Sequence, residues 1–350
     1  MRTNLLIKGL LFSLLLLQIQ GTLLAQNLFE NHRTEVYPYL SRMAQKGLVT
    51  IDDYIQPISR QAILIALLEL QKNESSLSKI EKTELNFYLQ EYNTIEGITN
   101  KDNTKADLLK KDENGRWRTI AIHAKDFQFN IDPIANIQVS SNDGNKINQV
   151  SNGFSLWGAS KNIGFQLYYR DCTESGDLLK LNNFETPNPG NIRVGLSNDN
   201  RLNYSEVRGN ISYSWKNGSV NFGKDNFLWG YGENGRIVSS DKAPSFPYFR
   251  LDYKPLQWLS FNYMHAWLNS NLTDSMRTYN TWTGGVSGDI RVRYISKFLV
   301  THSIKVTPMK GLDLSLGESM VYSDKLDVGF LIPINFFKVY DNNRSNYLIN

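Results

Sequence analysis

Four aromatic side chains stand close together in one stretch of the sequence, residues 220–253, where their chemistry suits sugar binding. Flat aromatic faces match the apolar faces of pyranose rings, and the polar edges of tyrosine and tryptophan can form hydrogen bonds. The same rings would equally suit a membrane interface, or packing beneath a loop. The four candidates for stacking on a sugar are Trp229, Tyr231, Phe246 and Tyr248.

Four basic side chains in the same stretch could pair with the carboxylates of an acidic polysaccharide. Arginine suits this role because its guanidinium group can make two parallel hydrogen bonds to one carboxylate. The alternative is a network of charges that faces the polar interior of a barrel. The basic candidates are Lys224, Arg236, Lys242 and Arg250.

The sequence gives only weak indications of a catalytic site. Asp225 with Glu233 or Asp241 resembles a glycosidase carboxylate pair, but surface loops contain such pairs routinely. His265 and His302 lie in strand-like segments, where we expect them to face a lumen or a packed interior rather than act as bases. The sequence therefore predicts a protein that is not an enzyme.

Cofactor and metal motifs are also weak. Gly230 and Gly232 are not followed by the Lys-Ser/Thr ending of a phosphate loop, and no G-x-S-x-G elbow surrounds Ser239 and Ser240. The chain has a single cysteine, Cys172, and four scattered histidines without metal-ligand spacing. We therefore expect no cofactor and no metal site.

The amino terminus predicts export. Arg2 and Lys8 precede the apolar run Gly9 to Leu17, and small residues follow, which is the order of a secretory signal peptide over residues 1–25 with cleavage after Ala25. A transmembrane anchor is the alternative, but the run is too short for one. The net charge of +4 over 350 residues gives no case for a nucleic-acid partner.

Residues 26–112 are predicted to form a small periplasmic helical bundle followed by a linker. Apolar residues recur at helical spacing from Tyr39 to Leu48, and Ser59 is a candidate N-cap for a helix over Ala62–Leu70. A third amphipathic segment runs from about Ser76 to Leu89. The charged stretch 96–117 resembles a linker.

From residue 118 onward the hydrophobic period changes from helical to two. Phe127, Phe129 and Ile131 alternate with Gln128 and Asn130, and this alternation continues over more residues than a typical soluble strand contains. Similar segments recur along the chain to about residue 317, with aromatic residues near their ends as in the interfacial girdles of outer-membrane barrels. The aromatic residues near strand ends include Trp157, Tyr168, Tyr169, Trp215, Trp258 and Trp267.

Connections between these segments alternate between short and long, as the periplasmic turns and external loops of outer-membrane barrels do. Short turns are predicted at 217–218 and 309–311, and long connections at about 171–203, 225–247 and 269–297. We expect a mainly β fold, with an antiparallel outer-membrane barrel over residues 118–350. The last residues, SNYLIN, do not form a final apolar strand, so the barrel is expected to be incomplete at its C-terminal end.

Several stretches in order resemble the Wzi family of capsule assembly proteins. The matching stretches are GLVTIDDYIQPISRQAI (47–63), FGKDNFLWGYG (222–232), IVSSDKAPSFP (237–247), NYMHAWL (262–268) and HSIKVTPMKGLDLSLGESMVYSDK (302–325). Tyr231 replaces a proline usual in the family, and residues 239–243 depart from the family's Asn-Asn form. The resemblance implies a barrel with a periplasmic helical bundle, which binds capsular or exopolysaccharide as a surface lectin without catalysis or cofactor.

Three functions follow from these observations. The first is an outer-membrane polysaccharide-binding protein, in contact with outer-membrane lipid and monomeric, which helps to assemble or retain capsule or exopolysaccharide. The second is a porin or transport channel, or a surface protein associated with gliding motility as in some members of the family. The third is a soluble exported carbohydrate hydrolase on a β scaffold.

Overall fold

The computed structural model describes residues 28–92, 105–112, 115–124, 127–179, 201–232, 235–240, 242–281, 289–309 and 311–344. The predicted signal peptide, residues 1–25, lies outside the described residues. Within the described ranges, every helix is too short or too polar to cross a membrane.

Three helices lie where helical periodicity predicts them: α1 (Val36–Gln45), α2 (Arg60–Lys72) and α3 (Lys79–Tyr92). They share a core that includes Leu40, Ile63 and Leu85, each almost completely buried. The Ser59 hydroxyl accepts a hydrogen bond of 3.2 Å from the Ala62 backbone N–H, so this serine is the N-cap of α2 as predicted.

Most of the remaining described chain forms one antiparallel sheet of eleven strands. Its strands follow one another in the order β2 to β8, then β10, β11, β14 and β15, while β1 pairs with β9 and β12 with β13. The strands are β1 Ile55–Gln56, β2 Lys105–Lys111, β3 Trp117–Ala124, β4 Phe127–Asn142, β5 Asn145–Ser160, β6 Ile163–Gly176, β7 Arg201–Trp215, β8 Gly218–Asp225, β9 Leu228–Trp229, β10 Phe246–Leu256, β11 Leu259–Thr273, β12 Tyr279–Thr281, β13 Asp289–Arg291, β14 Tyr294–Met309 and β15 Leu312–Ser323.

The sheet begins earlier than the sequence predicts. Strand β2 lies within the stretch 96–117 that resembles a linker, and it pairs with β3 from Lys105–His123 to Lys111–Trp117. Its lysines are more typical of a loop than of a central strand, but charged residues, especially lysine, are characteristic of strands at a sheet edge. Within the described residues β2 is such an edge, and β15 is the other.

The polarity of the two sheet faces is the reverse of that usual in a soluble protein, because the buried face carries many polar residues. Residues paired across antiparallel strands share a face. The pairs Asn130–Trp157, Trp157–Gln166 and Gln166–Asn210 therefore place Asn130, Gln166 and Asn210 in one row. We call the face that carries this row the inner face. Asn130, Gln166 and Asn210 are buried there, although polar residues are mostly exposed in soluble proteins.

The opposite face, called the outer face here, carries many exposed apolar side chains. Ile137 is 77% exposed and Leu316 is 82% exposed, and both belong to long regular strands. Exposed apolar side chains on this face come from β4 to β8, β10, β14 and β15. They include Ile137, Val139, Val150, Phe154, Ile163, Val207, Ile211, Tyr213, Phe222, Tyr253, Ile304, Leu314 and Leu316.

The inner face is covered by residues 28–58, called the N-terminal segment here. Strand β1 pairs with β9 through Ile55–Trp229 and Gln56–Leu228. Two of the predicted interfacial aromatics, Trp157 and Tyr168, are not interfacial, because their positions in the register place both on the inner face, where they are buried.

A C-terminal segment covers part of the outer face. It comprises a 3₁₀ turn at Val328–Leu331 and a helix, α4 (Phe337–Arg344). Phe330 and Phe337 pack with Tyr263 and Val300 of β11 and β14. Glu318 accepts hydrogen bonds from the backbone N–H groups of residues 337 and 338, at 2.8 and 2.6 Å, and so caps α4.

Buried ion pairs connect the helical domain to the sheet. The guanidinium group of Arg60 pairs with Glu30 and Glu91, and Glu91 pairs in turn with Arg118 of β3 at 3.1 Å. Burial by itself would raise the pKa of Glu91, but the nearby guanidinium groups, Arg60 foremost, lower it to about 2. Glu91 is therefore charged at neutral pH, and its charge is compensated by arginines from two parts of the fold.

We predict that Arg60→Ala destabilises the protein by about 3–5 kcal/mol, because it leaves two buried carboxylates short of a partner. The control is Arg42→Ala, which removes an exposed ion pair with Glu84 and should cost at most about 1 kcal/mol. The free energy of unfolding by urea, followed by far-UV circular dichroism, measures both changes. Equal losses in the two variants would contradict the prediction.

Candidate functional site

Three of the four predicted sugar-stacking aromatics are packing residues. Trp229, Phe246 and Tyr248 are at most 6% exposed and share an apolar cluster with Tyr54 and Met264. Their ring faces are occupied by other side chains, so contact with a sugar is not available to them. Burial between β9, β10 and the N-terminal segment explains why aromatic residues are concentrated in this stretch.

The fourth aromatic, Tyr231, is half-buried at the margin of this cluster. Its ring lies 4.9 Å from the ring of Tyr54. It therefore extends the same packing, and only part of the side chain remains accessible.

The four predicted basic residues divide into two pairs. Lys224 and Lys242 are exposed, whereas Arg250 is buried and donates from Nε to Asp252 at 3.0 Å. Arg236 donates a 2.7 Å hydrogen bond to the Gly230 carbonyl, and its Nη2 lies 3.4 Å from Asp53. The two arginines are thus already engaged with protein groups, as the alternative of an interior charge network predicts.

The described residues do not support the candidate carboxylate pair. Asp225 is completely buried at the end of β8, where it accepts a hydrogen bond from the Asn31 amide. Glu233 and Asp241 lie outside the described residues. His265 and His302 lie on the outer face beside Tyr322 and the C-terminal segment, so they are far from this carboxylate in the sheet register.

A cavity of about 600 Å³ lies between the N-terminal segment and the inner face of β6, β7 and β8. A volume of this size falls within the range of small-molecule sites. Arg236 is the one predicted site residue that lines it. Thr34, Pro38 and Gln138 line it as exposed residues and mark where it opens to solvent.

Paired strands supply the charged wall of this cavity. Tyr168 and Arg170 of β6 lie opposite Arg208 and Glu206 of β7, because the register pairs Tyr168 with Arg208 and Arg170 with Glu206. Arg170 donates a 2.6 Å hydrogen bond to Glu206 Oε2. Arg208 Nε lies 2.8 Å from Glu206 Oε1 without the alignment of a hydrogen bond.

The N-terminal segment supplies the opposite wall. The carbonyl of Asn31 accepts a 2.8 Å hydrogen bond from Arg208, and its side chain reaches Asp225. His32 lies over Tyr168 with 5.0 Å between the ring centres, and the Arg208 guanidinium lies 4.5 Å from the centre of the same ring. These contacts fix the segment against the sheet and leave the cavity between them.

Several polar atoms that line the cavity are buried without a hydrogen-bond partner among the described residues. They include both acceptors and donors: Asn31 Oδ1, Asn226 Oδ1, His32 Nε2 and Arg170 Nε. Asn31 is itself only 4% exposed. Buried polar groups normally find partners, so this concentration of free atoms favours a polar occupant of the cavity.

Sequence reasoning missed most of this cavity. The only available signal was the spacing of two between Tyr168 and Arg170 and between Glu206 and Arg208, which places each pair on one strand face. The long connection between the two strands hides their register, so the sequence does not reveal that these pairs meet. In the part of the chain that the structure describes, no group of His, Cys, Asp and Glu is arranged to hold a metal ion.

The chain matches no protein-family model, and no curated protein matches it either.

The environment of His32 predicts a dependence of stability on pH. Burial above all, together with the cations Arg208, Arg60 and Arg33, lowers the pKa of His32 to about 3 against the opposing effect of Glu30. Since the unfolded histidine titrates near 6.5, the unfolded chain binds the extra proton at mildly acidic pH. The stability that neutral His32 confers is therefore complete above pH 6.5 and is lost as the pH falls toward 3.

We predict that wild-type protein loses about 1–2 kcal/mol more stability than His32→Gln between pH 7 and pH 5. Glutamine does not titrate, and the other titrating groups are the same in both proteins, so the difference between them reports on His32. Urea unfolding at both pH values, with the full chain and its variant in the same detergent, gives the difference. An identical pH dependence in the two proteins would show that His32 is not held neutral by the fold.

Proposed function

We propose that the protein is a non-catalytic outer-membrane protein that binds surface polysaccharide and helps to assemble or retain a capsule or exopolysaccharide. The single observation that carries the proposal is the reversed polarity of the sheet, with polar residues buried on one face and apolar residues exposed on the other. In this proposal the eleven strands belong to a membrane barrel, which agrees with the resemblance to the Wzi family.

Lipid is the environment that best suits the outer face. Side chains such as Ile137, Ile211 and Leu316 belong to neighbouring strands and form a broad apolar surface. Monomeric proteins in water rarely expose apolar patches of more than a few hundred Å². Barrels in the outer membrane alternate apolar-out and polar-in residues along every strand, which is the pattern of β4, β7 and β8.

A polar, partly charged cavity is what supports binding of a glycan. Pockets that fix a ligand combine convergent polar groups with a restricted opening, and the cavity beside Tyr168 and Arg170 has both. With Trp229, Phe246 and Tyr248 buried in the core, recognition is assigned to this cavity instead of the loop aromatics. The exposed Lys224 and Lys242 remain candidates for peripheral contacts with the polymer.

An open channel agrees less well with the arrangement of the N-terminal residues. Lys305 of β14 pairs with Asp52, and Arg250 of β10 donates to the Pro57 carbonyl at 3.4 Å, so the N-terminal segment spans the inner face over several strands. A segment held by such contacts would obstruct a lumen. The porin alternative therefore predicts a conductance that this protein should lack.

We predict that deletion of the gene from an encapsulated host releases polysaccharide into the medium, and that the wild-type gene restores retention. Cell-bound and free polysaccharide are measured after centrifugation. The purified protein in a planar bilayer should conduct little current. Unchanged retention together with a porin-like conductance would favour the channel instead.

A second prediction tests the membrane position directly. Ile211→Lys places a charge on the outer face, where lipid would impose a cost of about 2–4 kcal/mol, whereas an exposed site in water would change stability by only about 0.5 kcal/mol. The matched control is Ile80→Lys on α3, because Ile80 is 75% exposed and lies outside the sheet. The free energy of unfolding from lipid vesicles separates the variants, and equal stabilities would argue against a lipid-facing sheet.

A further inference from the structure

We infer that the cavity between the N-terminal segment and strands β6 to β8 is a subsite for an uncharged, hydroxyl-rich sugar residue. The inference rests on the proposed glycan-binding function and gives it a substrate class. It also separates the subsite from the acidic sugars that the basic residues of the loop suggested.

Charge balance is the first argument. An anionic sugar needs an excess of free positive charge, but the cavity is lined by four carboxylates and only three guanidinium groups. His32 adds no positive charge at neutral pH, since burial lowers its pKa to about 3. The charged lining residues are Glu30, Asp53, Glu206 and Asp225 with Arg170, Arg208 and Arg236.

The arginines are, in addition, already committed to protein carboxylates. Glu206 lies 2.6 Å from Arg170 and 2.8 Å from Arg208, and Asp53 lies 3.4 Å from Arg236. A uronate entering this cavity would have to displace one of these carboxylates or remain close to several of them. Repulsion between the uronate carboxylate and these protein carboxylates opposes binding, so an acidic sugar ring is disfavoured.

The unpartnered atoms favour hydroxyl groups. A hydroxyl donates one hydrogen bond and accepts up to two, so it can satisfy the acceptors Asn31 Oδ1 and Asn226 Oδ1 as well as the donor Arg170 Nε. A carboxylate only accepts, so a uronate that placed its carboxylate against the two asparagine oxygens would leave both unpartnered. A neutral sugar ring, with several hydroxyls around its edge, can supply both kinds of contact at once.

Hydrogen bonding rather than ring stacking must dominate this subsite. The aromatic ring in its wall, Tyr168, is already contacted by the His32 ring and the Arg208 guanidinium. Its faces are therefore used within the protein. This distinguishes the subsite from an aromatic platform and predicts that amide and charge substitutions, not loss of an aromatic ring, change the binding.

The test measures binding of two probes to the full chain in detergent: neutral oligosaccharides of hexoses, and an oligogalacturonate of matched length. We expect wild-type protein to bind a neutral probe at least tenfold more tightly than the uronate. Asn226→Ala removes an unpartnered cavity acceptor and should weaken neutral binding about tenfold. The control is Asn210→Ala, which removes a buried amide with unpartnered atoms that does not line the cavity, and its binding should equal that of wild type.

Glu206→Gln tests the charge argument with a side chain of almost the same shape. It frees Arg170 and Arg208 from their shared carboxylate, so the preference for neutral over acidic probe should fall at least tenfold. Tighter binding of the uronate by wild-type protein would overturn the inference, as would an Asn226→Ala variant that binds like wild type. In both cases a glycan still binds and the proposed function survives, whereas absence of binding to any glycan would remove the proposed function and this inference together.

Discussion

The structure depends on one constraint: polar and charged groups buried on the inner face of the sheet must be compensated from elsewhere in the chain. Arg208 and Asp225 lie on that face, and Asn31 of the N-terminal segment contacts both of them. Farther along the sheet, Arg250 donates a hydrogen bond to the Pro57 carbonyl, and Lys305 forms an ion pair with Asp52. Without the N-terminal residues these groups would lose their partners, and orphaned buried polar groups are costly. The helical domain is therefore part of the sheet's stability and not an independent appendage.

The same constraint explains the loop that follows β8. Its aromatic residues hold β9 beneath the sheet, where Trp229 pairs with Ile55 and packs among Tyr54 and Phe246. Gly230, directly after β9, has a φ of +100°, and its N–H donates a 2.9 Å hydrogen bond to the Tyr54 carbonyl. A side chain at this position would be strained. The loop thus anchors the N-terminal segment, and this segment forms one wall of the cavity.

How far the sequence predicts this arrangement depends on whether the information is local. Periodicity found the helices, the Ser59 cap and the long strands such as β4, because each is encoded within a few neighbouring residues. It also recognised that apolar and polar residues alternate on opposite faces. It missed β2, whose lysines resemble loop, and it counted Trp157 and Tyr168 among the interfacial aromatics although both are buried on the inner face. The cavity is formed by the register of β6 against β7 and by the position of residues 31 and 32 against these strands. Both depend on tertiary structure, which no local sequence pattern encodes.

The outer face also follows the rule that polar groups need partners, and for the proposed membrane location this limits where lipid could lie. His265, His302 and Glu318 are polar residues on that face, and lipid would leave them without partners. His265 lies 2.8 Å from the Tyr322 hydroxyl, His302 lies 2.9 Å from the Pro333 carbonyl, and Glu318 caps α4. The C-terminal segment therefore covers the part of β11, β14 and β15 that lipid could not solvate. A lipid-facing band would run instead over those parts of β4 to β8, and of the ends of β14 and β15 beyond this cover, that carry exposed apolar side chains.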